Sequence, residues 1–61
     1  MPLKEADGYH VGQHGWIDVL DSSGNHSFRV RGEIVSLIPA SDNAIYALIR
    51  TEMGSGVFRV R

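Results

Sequence analysis

Two sets of residues in this sequence have side chains suited to acting on or holding another molecule: three histidines, and arginines that recur in pairs. His10 and His14 stand four apart, a spacing that binds zinc when a helix brings both rings to one face. Gly12 and Gly15 argue against a helix there, and a third ligand would have to come from Asp18 or Asp21. With no cysteine in the chain, nothing in this spacing fits a closed tetrahedral set. These histidines and His26 are therefore read as solvated or packing residues, and neither a metal nor a cofactor is assigned. Nucleophilic catalysis needs a nucleophile, a base and an orienting group in contact. Ser22, Ser23, Ser27, Ser36, Ser41 and Ser55 supply hydroxyls, but co-occurrence with histidines and aspartates is no evidence of a triad. Asp18, Asp21 and Glu33 show no spacing that singles out an acid–base pair. Gly54-Ser55-Gly56 lacks the following lysine and helix of a phosphate loop and reads as part of a turn. No catalytic residue is assigned.

The arginines are more informative. Phe-Arg-Val-Arg occurs at residues 28–31 and again at 58–61. In a strand, alternate side chains point to opposite faces, so Phe28, Val30, Phe58 and Val60 turn inward and Arg29, Arg31, Arg59 and Arg61 outward. With Arg50, and with Trp16 and Tyr46 as flat surfaces for stacking, they form the candidate binding surface. The net charge is −1, but Glu5, Asp7, Asp21, Asp42 and Glu52 stand in the N-terminal segment and the turns, so a neutral chain can carry a local basic patch. The plainer alternative is a solvated face whose arginines pair with Asp18, Glu33 and Glu52 across strands.

The elements that must position these residues read as strands. Short apolar runs alternate with clusters of Gly, Ser, Asn, Asp and Pro, the punctuation of an all-β chain. The runs are residues 9–11, 16–20, 26–38, 44–50 and 57–61. Gly32 interrupts the long run, which is either one strand kinked there or two strands meeting. Ser41 or Asp42 is placed to cap a short helix over residues 43–50 as an alternative. The repeat favours a strand: it aligns Trp16 with Tyr46, Val19 with Ile49 and Gly24 with Gly54, so segments 16–31 and 46–61 both read as hairpins. The expected core is Trp16 or Ile17, with Val19, Phe28, Val30, Ile34, Val35, Leu37, Ile45, Ala47, Ile49, Phe58 and Val60.

At 61 residues the chain makes one domain: a flexible tail over 1–8 and a β-barrel over 9–61. Its fold class is all-β, a small five-stranded antiparallel barrel or roll with a disordered N-terminal tail, since closing the sheet removes exposed edges. A domain this small buries only about 60% of the surface its unfolded chain exposes and commonly needs a staple. Without cysteine the staple cannot be a disulfide, which leaves metal binding, self-association or a very regular core. The same lack of cysteine fits a cytoplasmic setting. No apolar run approaches the roughly 20 residues of a membrane span, and residues 1–7 lack the pattern of a secretory signal. The sequence ends in mid-strand pattern, as a trimmed chain would.

Gly12-Gln13-His14-Gly15-Trp16-Ile17-Asp18-Val19-Leu20 resembles the start of a KOW module, Gly-x-x-Gly-x-(Val/Ile)-x-x-apolar, over about nine residues. Gln13 and His14 stand where that family places basic residues. Residues 17–43 are similar to the Sm strand pattern in Gly24, Phe28, Gly32 and Asp42-Asn43, with a longer Gly24-to-Gly32 spacing. Both resemblances imply a small barrel of the Src-homology-three type. The expected function is a non-catalytic binding module or regulator that contacts a protein and forms a homo-oligomer, with no membrane partner. One alternative is RNA or DNA binding through the Arg29/Arg31/Arg59/Arg61 face. Another is an oligomeric enzyme with a site between subunits, as in plasmid-borne type II dihydrofolate reductases, whose Val-Gln-Ile-Tyr stretch is absent here.

Overall fold

A computed structural model describes residues 3–61. The alternating apolar runs form four strands of one antiparallel sheet: β3 (His14–Leu20), β4 (Ser27–Pro39), β5 (Ile45–Thr51) and β6 (Gly54–Arg59). Each pairs with the next, and β6 returns to β3 at the single pair Leu20↔Arg59. Residues 43–50 are therefore not a helix. One 3₁₀ turn, Ser41–Asn43, is the only helical element among the described residues. No helix there is long and apolar enough to cross a membrane.

The five expected strands become six, because the N-terminal segment folds instead of trailing. β1 (Glu5–Ala6) and β2 (Tyr9–His10) form a two-stranded ribbon around Asp7-Gly8. Both turn residues have positive φ, 51° and 85°. That is the backbone a tight hairpin needs and an Asp-Gly pair supplies. The ribbon is anchored on both sides: the Leu3 N–H donates to the Leu37 carbonyl (2.8 Å), and Leu3, Ala6 and Tyr9 pack against the core. The Tyr9 hydroxyl donates to the main-chain carbonyl of Asp18 on β3. Burial, and then the charges of Asp18 and Asp7, hold that phenol above its ordinary value, so it remains a donor. The expected disordered tail is thus corrected for residues 3–8, while Met1 and Pro2 lie outside the described residues.

β4 runs unbroken through Gly32. Its first half pairs with β3 and its second half with β5, with Glu33 opposite both His14 and Arg50. The irregularity lies further on, as a bulge between Ile34 and Ser36. An extra residue in one strand shifts the face of everything after it. Inward positions are therefore even before the bulge (Val30, Ile34) and odd after it: Leu37 is fully buried and Ile38 is 42% exposed. This explains why both faces of residues 34–38 read as apolar.

The core consists of Ile17, Val19, Ile34, Leu37, Ile45, Ala47, Ile49 and Val60, with Val30 and Phe58 packed against it. Of the alternatives Trp16 and Ile17, it is Ile17 that faces inward. Two expected members sit differently: Val35 is exposed at the bulge, and Phe28 is half exposed, its ring edge-on to Phe58 at 6.1 Å. Both halves of the repeat are hairpins, with equivalent residues on equivalent faces. Their pairing differs by two residues: Val19 faces Phe28, whereas Ile49 faces Gly56. An even shift leaves every side chain on its own side.

The loop between β3 and β4 is tied by Asp21. Its carboxylate accepts from the Ser23 hydroxyl (2.7 Å), from the main-chain N–H groups of Ser23 and Asn25, and lies 3.0 Å from the His26 ring. The Ser23 hydroxyl, followed by His26 and the main-chain donors, holds the Asp21 carboxyl well below the usual carboxylate range. The folded state therefore favours the ionised form. Its contribution is present above the unfolded carboxyl's value, about 3.9, and is lost as pH falls below that value. Melting curves recorded from neutral to acid pH should show a steeper loss below about pH 4 for the wild type than for Asp21→Asn. Parallel curves for the two would show that the loop hydrogen bonds carry no stability.

Candidate functional site

The structure divides the candidate arginines into two groups. Around the start of β3, Trp16 stands opposite Arg31 and Asp18 opposite Arg29, all on the outer face. One strand further round, Arg50 stands opposite Glu33 and donates to it at 2.9 Å. Arg31 and Arg50 line one open groove of about 390 Å³ together with His14, Gly15, Gly32 and Thr51, and with Glu52 as an acid at its rim. Gly15 and Gly32 are cross-strand partners, so the groove has two positions without side chains along its floor.

The second group is occupied with holding the fold. Arg59 lies between Tyr46 on β5 and Leu20 on β3 and is half buried. Its Nε donates to the Arg61 carbonyl at 2.8 Å, and a guanidinium nitrogen donates to Ser22 at 3.4 Å. The guanidinium also lies against Gly24, 3.2 Å from where a Cβ would stand, which pins the β3–β4 loop. Arg61 follows β6 and pairs with Asp7 of the ribbon at 3.1 Å. Tyr46, half buried between Ile38 and Arg59, offers little free ring. The repeated Phe-Arg-Val-Arg thus places its arginines on the outer face twice but does not bring the four together.

Among the described residues, Arg31 is in no ion pair, and Arg29 reaches Asp18 only at 4.0 Å. Trp16 is 63% exposed. Its repeat counterpart, Tyr46, is flanked by strands on both sides, whereas β3 at Trp16 has a strand neighbour on one side only. The three histidines are dispersed over β2, β3 and the β3–β4 loop, and no three metal-binding side chains converge among the described residues.

Reasoning from sequence missed His14, Thr51 and Glu52 as lining residues. They meet only because β4 changes partner near Glu33, and no local pattern encodes that. Set against family models, curated proteins and solved structures, the chain matches none of them.

Proposed function

We propose that this chain is a small antiparallel barrel that acts as a non-catalytic binding module, taking a protein partner on the face centred on Trp16 and Arg31. The observation that carries the reading is a largely exposed indole beside a guanidinium with no ion pair. Trp and Arg are enriched among the few residues that carry most of the binding energy of protein interfaces. A tryptophan brings about 150–250 Å² of contact area with few rotors to fix. Arg29 and Arg31 give this surface positive charge, while Arg50 in the same groove is paired with Glu33. The same reading has the domain self-associating, since a chain this short and free of cysteine gains stability from further burial.

Trp16→Ala is expected to weaken capture of the partner by at least about 2 kcal/mol, roughly thirtyfold, and to change stability by less than about 0.5 kcal/mol. Pull-down from the source together with a thermal melt reads both quantities. Equal capture by wild type and variant would remove this face from the account.

Nucleic-acid binding through Arg29, Arg31, Arg59 and Arg61 has weaker support, because Arg59 and Arg61 already hold the loop and the ribbon. That alternative requires affinity that falls steeply with salt and drops when the four arginines become alanine. Titrating labelled RNA and DNA at two salt concentrations is expected to show neither.

A further inference from the structure

We infer that the partner supplies an extended segment of alternating acidic and apolar residues, which adds as a strand to the free edge of β4 at Arg29 and Arg31; this rests on the protein-binding reading above. The edge follows from the main-chain pairing. The Ile34 N–H donates to the Gln13 carbonyl, and the Ile34 carbonyl accepts from the Gly12 N–H, both on the β3 side. Main-chain groups of successive residues in a strand point to opposite sides. Gly32, Val30 and Phe28 therefore also turn theirs toward β3, and Glu33, Arg31 and Arg29 turn theirs the other way. On that side Glu33 stands opposite Arg50, where the ladder with β5 stops, and β5 turns back into β6 through Thr51 and Gly54. Among the described residues, no main-chain hydrogen bond reaches Arg29 or Arg31 from that side.

Charge selects the occupant. A second copy laid antiparallel with Val30 opposite Val30 would set each Arg29 against an Arg31, and like charges directly opposite are destabilising. Charged residues at an edge discourage self-pairing in this way. Carboxylates opposite the two arginines do the reverse. They also meet guanidinium groups with capacity to spare: Arg50 is already paired with Glu33 at 2.9 Å, whereas Arg29 reaches Asp18 only at 4.0 Å and Arg31 has no ion pair among the described residues. The alternate residues of the added strand stand opposite Val30 and Phe28 on the inner face. Val30 packs against the core and Phe28 is 44% exposed, so apolar side chains suit those positions. On the outer face, Trp16, Arg31 and the partner's carboxylate form one row across three strands, which makes the added strand continuous with the Trp16 face.

The probe is a seven-residue peptide, acetyl-Thr-Val-Glu-Val-Glu-Val-Thr-amide, with a counterpart carrying lysine in place of glutamate. Each is titrated into the full chain while main-chain amide exchange is followed by NMR. The acidic peptide is expected to bind at least about tenfold more tightly than the lysine peptide and to protect the Arg29 and Arg31 amides. Arg31→Glu is expected to weaken the acidic peptide and strengthen the lysine peptide. The second change is a gain, which a misfolded variant would not show. Equal binding of the two peptides, no binding, or binding that leaves both amides exchanging as in the free chain overturns the added strand. The reading beneath it is scored separately, by capture with wild type and Trp16→Ala. Capture lost in Trp16→Ala while the peptide leaves the amides unprotected overturns the strand alone, and equal capture by both chains overturns the reading.

Discussion

Gly32→Ala should lower stability by about 3 kcal/mol, enough to leave much of the protein unfolded in water, since a domain this small has a margin of roughly 3–5 kcal/mol. A Cβ at Gly32 would stand 2.4 Å from the Arg50 carbonyl and 2.8 Å from Cγ2 of Ile49. The first neighbour is main chain and cannot rotate away. β4 passes from β3 to β5 at this point, and the approach is close because both strands must reach it. The cost is therefore overpacking and not backbone strain. Gly12→Ala separates the two effects: Gly12 has φ +95° with nothing within 4 Å of the added atom. That change should cost only the left-handed penalty, about 1–2 kcal/mol. Urea denaturation of both variants gives the comparison, and a Gly32→Ala protein within about 0.5 kcal/mol of wild type would show that the crossing is looser than described.

Ile34→Ala should cost about 4 kcal/mol, and Ile34→Val about 1. Ile34 is fully buried and faces Ile49 across the sheet. Its main chain is held by the N-terminal segment, with its N–H donating to Gln13 and its carbonyl accepting from Gly12, both at 2.8 Å. Little can collapse into the space left behind. The neighbouring Val35→Ala, at the exposed bulge, should stay within about 0.5 kcal/mol. Equal losses at 34 and 35 would contradict the bulge, because they would place both side chains in the core.

Most of the strand pattern was legible. Period-two alternation set the faces of residues 27–31, with Val30 inward; Val19, Ile45, Ala47 and Ile49 were expected in the core, the choice between Trp16 and Ile17 stayed open, and the repeat decided for a strand over residues 44–50. The ribbon was also written in the sequence, as Asp7-Gly8 between Ala6 and Tyr9, but its strands are only two residues each and show no periodicity. Periodicity cannot locate a one-residue bulge where both faces are apolar, so Val35 read as core. It also cannot distinguish two outward arginines by what stands beside them. Arg29 and Arg59 occupy equivalent places in the repeat. Arg59 is half buried because β6 closes on β3 there, and that closure depends on pairing between residues distant in the chain.

In the proposed function, Trp16 and Arg31 form the contact surface of a protein-binding module. Its most direct test is the mass of the native species recovered from the source with tagged wild type and with Trp16→Ala. The wild type should retain a defined protein, and Trp16→Ala should lose it at an unchanged melting temperature. A wild type that retains nucleic acid instead, or a Trp16→Ala variant that retains the same protein in the same amount, would contradict it.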